Sequence, residues 1–165
     1  LRRDEPINFE GKYFRLHEAM LLPRPQRAGG PPVVIGGRGA SRTLHLAARF
    51  ADEWNTYRIS TAQIAELTRK LDQILAEHGR KPGDLRRTLM INVVYGQDDA
   101  QVKQKMQGLS FEQLREKGVV GTPSQIIDQI GQYAELGIQR VILQWFDLDD
   151  IAGIESIAKT ILPKI

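Results

Sequence analysis

The apolar positions of this chain change period several times, and each change marks an element. Residues 33–35 (Val-Val-Ile) form a short β-branched run, the pattern of a strand covered on both faces. Gly36, Gly37 and Gly39 follow, and a helical pattern then runs from Ser41 or Thr43 through Leu44, Leu46, Ala47, Ala48 and Phe50. Residues 51–57 read as a short strand ending in polar groups and an aromatic. Ser60 and Gln63 have capping-box spacing and open a helix with Ile64, Leu67, Leu71, Ile74 and Leu75 on one face, closed by Gly79. Residues 89–95 are a strongly apolar strand. Asp98 or Asp99 then starts a helix with Ala100, Val102 and Met106 inward, and a second short helix covers 110–117. Thr122-Pro123-Ser124-Gln125 predicts a sharp helix start, with Ile126, Ile127, Ile130, Tyr133, Ala134 and Leu136 buried and Gly137 as the stop. Residues 140–146 are the last strand. A final helix carries Ile151, Ile154, Ile157, Ala158, Ile161 and Leu162 up to Pro163.

The resulting order is β-α-β-α-β-α-β-α, which implies a parallel sheet with right-handed crossovers. Four such units are half of an eight-unit barrel, which needs about 250 residues; a four-stranded open α/β sandwich is the alternative. Residues 1–30 lack helical period. Phe9 to Leu16 suggest a small hairpin or an extended lead-in around a glycine turn, and Pro23, Pro25, Gly29 and Gly30 punctuate an irregular approach to the first strand. The expected division is an irregular lead-in over 1–30 and four β/α units over 31–165.

Composition narrows the classes. The chain has 165 residues, no cysteine and a net charge of +3. These exclude a disulfide framework and a cysteine-based metal site. Lys and Arg are interspersed with Asp and Glu, so a nucleic-acid stripe is not expected. No apolar run reaches the ~18 residues of a membrane span, and no signal peptide is evident; a cytoplasmic setting is expected. The chain does not begin with Met, which leaves open whether residues upstream are missing.

The glycine corner carries the most chemistry. A strand, a flexible corner and a helix N-terminus bring free N–H groups and the positive end of a helix dipole to one point. This reads either as a phosphate cradle or as an ordinary tight βα turn. It matches neither a GxGxxG fingerprint nor a Walker loop, because Arg42 stands where the third glycine would be and no Gly-Lys-Ser/Thr follows. Asp52 and Glu53 are adjacent and face opposite ways on a strand, so they make a poor acid/base pair. His17, His45 and His78 lack metal-ligand spacing.

Four segments in order carry a resemblance: Pro-Pro-Val-Val-Ile-Gly-Gly-Arg-Gly at 31–39, Leu-Ala-Ala-Arg-Phe-Ala-Asp-Glu-Trp-Asn at 46–55, Val-Gly-Thr-Pro at 120–123 and Tyr-Ala-Glu-Leu-Gly-Ile-Gln-Arg-Val-Ile-Leu at 133–143. With Phe-Glu-Gly-Lys-Tyr-Phe at 9–14 and Pro-Arg-Pro-Gln at 23–26, the chain resembles the luciferase-like monooxygenase superfamily, in its branch of coenzyme F420-dependent oxidoreductases. The resemblance implies the C-terminal half of a TIM-type (β/α)8 barrel, with strands five to eight at 33–37, 52–57, 89–95 and 140–146. It implies F420 or FMN bound at the C-terminal ends of the strands. By position it assigns the phosphate to the corner that begins at Gly37, with Gly39 and Ala40 as backbone donors, Thr43 as hydroxyl donor, and Arg38 and Arg42 as charge partners. Trp54 and Asn55, at the end of strand six, are candidates to touch cofactor or substrate, the alternative being that Trp54 packs and Asn55 ends the strand with a side-chain turn; Trp145 is similar, with packing the favoured explanation. No general base is identifiable. The implied reaction is hydride transfer or oxygenation of a small organic substrate. A non-catalytic assembly module or a general phosphate-ligand domain is the alternative. Open strand edges predict self-association or pairing with an upstream half-barrel.

Overall fold

The computed structural model describes residues 5–165, so the first four residues of the lead-in lie outside the described residues. The chain divides into two units, Leu1–Val33 and Val34–Ile165.

In the first unit, β1 (Ile7–Glu10) and β2 (Arg15–Ala19) form an antiparallel hairpin, with Phe9 opposite Leu16 and Glu10 opposite Arg15. Gly11 N–H donates to Phe14 O at 2.9 Å across the turn, and the Asn8 carboxamide accepts Glu18 N–H at 2.8 Å.

The second unit is a parallel sheet with helices on one face. Its elements are β3 (Val34–Gly36), α1 (Thr43–Phe50), β4 (Glu53–Tyr57), α2 (Thr61–Glu77), β5 (Arg86–Tyr95), α3 (Asp99–Lys105), α4 (Phe111–Arg115), β6 (Gly118–Gly121), α5 (Pro123–Glu135), β7 (Arg140–Gln144) and α6 (Ile151–Thr160). The predicted caps form: Ser60 accepts Gln63 N–H, Gln125 accepts Thr122 N–H at 2.9 Å, and Gly79 and Gly137 close their helices at φ 68° and 87°. β5 starts three residues before the predicted strand, and β7 stops at Gln144. α1 starts at Thr43, not Ser41. Ala100 is exposed, because only Val102 of α3 reaches the core. Ile151, Ile154 and Leu162 are exposed as well, and Pro163 sits inside a 3-10 turn after α6, leaving Ile157 and Ile161 as its core contacts.

The main difference is a fifth parallel strand. β6 pairs with the C-terminal part of β5, Asn92 against Gly118 through Tyr95 against Gly121. Its edge follows from hydrogen-bond direction. Arg86 N–H donates to Asp52 O at 3.1 Å, and further along the same edge Asn92 N–H reaches Lys117 O at 3.4 Å and Gly96 N–H reaches Gly121 O at 3.3 Å. β6 therefore takes over the edge of β5 where β4 ends. The other edge belongs to β7, whose approach donates Gln139 N–H to Arg87 O at 2.9 Å. The barrel-type order is β3-β4-β5-β7, with β6 extending the β4 side.

Alternation along the strands separates two faces. Ile35, Trp54, Leu89, Ile91, Val93, Val141 and Leu143 point to the helices and build two apolar clusters with α1, α2, α5 and α6. The opposite face carries Val34, Glu53, Asn55, Tyr57, Thr88, Met90, Ile142 and Gln144. Val34 and Ile142 there are 55% and 42% exposed, while Thr88 and Glu53 on the same face are buried.

Candidate functional site

The corner after β3 is shaped by two hydrogen bonds to β4. Gly37 N–H donates to Asn55 O at 2.9 Å, and the Trp54 indole N–H donates to Gly37 O at 2.9 Å. Gly37 has φ 137°, a conformation that side chains resist. A Cβ on Gly37 or Gly39 would stand 3.2 or 3.0 Å from Thr43 Oγ1, so both glycines make room for that hydroxyl. Ala40 packs its methyl against the helix-side core.

α1 then begins without a cap. Ser60, Asp98, Ser110 and Asp150 each accept a first-turn N–H of their helix, and α5 opens on Pro123, which has none to satisfy. The N-cap of α1 is Arg42, which makes no side-chain cap and has no acidic residue in the turn that follows. Leu44 N–H reaches Gly39 O at 3.3 Å; the N–H groups of Thr43 and His45 have no acceptor among the described residues. The other end of α1 is satisfied, since Arg80 donates to Ala48 O at 2.8 Å. The helix dipole thus ends in unspent donors at the corner, a local field that favours an anion. No carboxylate occurs between Gly36 and Thr43 to compete for it. These features fit a phosphate: free backbone donors, the Thr43 hydroxyl and an arginine on either side of Gly39.

The two arginines are not equivalent. Arg38 stacks 4.7 Å above the Tyr57 ring and donates to Arg58 O at 3.3 Å. Arg42 makes no ion pair or side-chain hydrogen bond among the described residues and remains available. Trp54 lies at the corner on the helix side of β4 and is fully buried. It holds the Gly37 carbonyl from behind and presents no surface to the open face. Asn55, the next residue, lies on the open face, where its Nδ2 donates to Thr88 Oγ1 at 2.8 Å.

Thr88 in turn donates to Glu53 Oε1 at 3.0 Å. The Glu53 carboxylate is 9% exposed and meets Arg140 at 3.3 Å and Arg86 at 3.8 Å. Buried charge needs such partners, so Glu53 is structural, while Asp52 is exposed at the start of β4. Sequence reasoning missed Thr88 and Arg58. Arg58, at φ 46°, reaches over β5 to Gln144 Oε1 at 3.0 Å, with its guanidinium 6.0 Å from the Phe146 ring. Alternation from Met90 would have placed Thr88 on the open face; nothing local signals the reach of Arg58.

Trp145 lies apart from the corner. Its indole donates to Asp147 O at 2.6 Å, and its ring stands 6.3 Å from Tyr95 and 5.5 Å from Lys105 Nζ. Lys105 pairs with Asp150, which caps α6 through Gly153 N–H at 2.8 Å. The Lys105 hydrogen bond, helped by Gly153 N–H, holds the Asp150 carboxyl below its ordinary range. His17, His45 and His78 are each exposed on separate elements. Among the described residues no group of three or more His, Cys, Asp or Glu could hold a metal ion, and no helix is long and apolar enough to cross a membrane.

A parallel β/α sheet whose strands run in the order β3-β4-β5-β7 has the architecture of half a (β/α)8 barrel. Residues 1–113 match the luciferase-like monooxygenase family, and the chain belongs to it. It is 23% identical over 193 residues to an F420-dependent glucose-6-phosphate dehydrogenase of Intrasporangium calvum, covering 97% of this chain and 56% of that protein. It superposes on the coenzyme F420-dependent tetrahydromethanopterin reductase of Methanopyrus kandleri with a TM-score of 0.81 at 15% identity, over 96% of this chain and 58% of that one. An F420-dependent secondary alcohol dehydrogenase, in complex with an F420-acetone adduct, gives 0.78 at 20% identity over 96% and 56%. The chain spans about half the length of these proteins.

Proposed function

We propose that this chain is the phosphate-holding half of an F420- or FMN-dependent oxidoreductase acting on a small organic substrate. The observation that carries this reading is the uncapped start of α1: among the described residues, Thr43 and His45 N–H have no acceptor and Arg42 has no side-chain partner, beside the Thr43 hydroxyl. Gly39, Ala40 and Thr43 would hold the cofactor's phosphate, with Gly37 shaping the corner. Arg42 would supply charge, and Arg38 would line the rim through its stack on Tyr57. Asn55 would face the cofactor from the open side of β4, while Trp54 would fix the corner from behind.

When bound, F420 supplies hydride transfer and FMN supplies oxygen activation. The chain's own residues bind and orient the cofactor. The open face and the free edges of β3 and β7 would receive a complementary half, from preceding β/α units or a second copy. Titration of the purified chain with FMN and with F420, followed by cofactor fluorescence, tests the reading. Saturable binding by one of them, weakened by Thr43→Ala, is expected; binding unaffected by that change would overturn the assignment of the corner.

A further inference from the structure

The open face holds a chain of side-chain hydrogen bonds whose polarity can be read from its ends. Glu53 is acceptor-only, and its oxygens take Arg140 Nη1 at 3.3 Å and the Thr88 hydroxyl at 3.0 Å. Thr88 has a single proton, and the buried carboxylate is its stronger acceptor. Its oxygen is then left to accept, and it accepts Asn55 Nδ2 at 2.8 Å. An Asn side chain has one donor end and one acceptor end. With the NH2 end turned to Thr88, Oδ1 is directed away from the relay, and it accepts no hydrogen bond from the described residues.

Asn55 also stands beside the corner. It is the register partner of Gly36, one strand spacing away (about 4.8 Å), and its own carbonyl receives Gly37 N–H. A ligand group that meets Asn55 Oδ1 is therefore close to whatever the corner holds. From this geometry we infer that Thr88 and Glu53 are positioning residues that fix Asn55 as a hydrogen-bond acceptor for a hydroxyl on the polyol chain linking the cofactor's phosphate to its ring. The inference rests on the proposed cofactor reading. It adds a contact that FMN and F420 share, and it gives the buried Glu53–Arg140 pair a purpose beyond folding.

Three ligands separate the contributions: FMN, riboflavin, which lacks the phosphate, and lumiflavin, which lacks the polyol. Asn55→Ala is expected to weaken FMN and riboflavin alike by about tenfold, the worth of one hydrogen bond, and to leave lumiflavin unchanged. Thr88→Val should have the same effect, Thr88→Ser should restore binding, and the Asn55→Ala/Thr88→Val double variant should be no worse than Asn55→Ala alone. A role confined to folding would instead lower the thermal midpoint and weaken lumiflavin as well. Unchanged riboflavin affinity in Asn55→Ala, or additive losses in the double variant, would overturn the relay. Loss of the FMN-over-riboflavin preference in Gly39→Asp belongs to the corner alone, so the two readings fail separately. A chain that binds none of FMN, riboflavin and F420 overturns both; where F420 alone binds, Asn55→Ala is expected to weaken F420 about tenfold, and unchanged F420 affinity overturns the relay.

Discussion

Trp54 and Gly37 are joined by a 2.9 Å hydrogen bond from the indole N–H to the glycine carbonyl, made from the helix side of the sheet. The same glycine gives its N–H to Asn55 O at 2.9 Å. Both polar groups of Gly37 are thus spent on β4, and this pins the corner while leaving the donors of α1 free. Trp54→Phe keeps the ring in its fully buried site and removes the donor. The orphaned carbonyl should cost about 1–3 kcal/mol, read by urea denaturation, with weaker FMN binding in the same variant.

Gly37 is the corner's conformational constraint. At φ 137°, with Thr43 Cγ2 3.1 Å from where a Cβ would stand, Gly37→Ala should destabilise by about 1–3 kcal/mol through backbone strain and displace the Thr43 hydroxyl. Gly83, where a Cβ meets nothing within 4 Å, is the control: Gly83→Ala should leave the thermal midpoint nearly unchanged.

β6 is held by a side chain acting as a missing strand. Gln129 Oε1 accepts Val120 N–H at 2.9 Å, and Nε2 donates to Val120 O at 2.8 Å. Gln129 is 6% exposed. Gln129→Leu leaves two buried backbone groups unpaired and should cost roughly 3 kcal/mol. Hydrogen exchange at Val120 should accelerate in that variant more than exchange at Ile91, in the middle of β5.

Asp150 predicts an acid limb of stability. Its unfolded carboxyl titrates near about 3.9, and Lys105 with Gly153 N–H lowers the folded value. A depressed carboxyl stabilises the fold above its unfolded pKa and loses that contribution as pH falls through the folded value. Asp150→Asn keeps a cap and removes the charge. The stability difference between wild type and D150N should be flat above pH about 5 and shrink below about 4, as followed by chemical denaturation across pH.

Several elements were legible because their signals are local. Ser60 with Gln63, and Thr122-Pro123 with Gln125, are complete within four residues, and both helices start there. The Val34–Gly36 strand and its glycine corner were legible for the same reason. β6 was not, because Gly118-Val119-Val120-Gly121 has too few residues to show a period. Its existence depends on the edge of β5 and on Gln129, nine residues away. Trp54 and Asn55 were paired as ligand contacts, although strand alternation puts neighbours on opposite faces. The fold uses Trp54 behind the corner and Asn55 on the open face. Arg58 escaped because it acts across 86 residues of sequence, on Gln144.

If the corner before α1 holds a phosphate, the affinity ratio between FMN and riboflavin measures that contribution directly. The chain is expected to bind FMN at least about tenfold more tightly than riboflavin, as for an anion on free helix donors. Gly39→Asp, which puts a carboxylate beside Thr43 Oγ1, is expected to abolish the difference. Equal affinities in the wild-type chain, or a preference that survives Gly39→Asp, would contradict a phosphate at the corner.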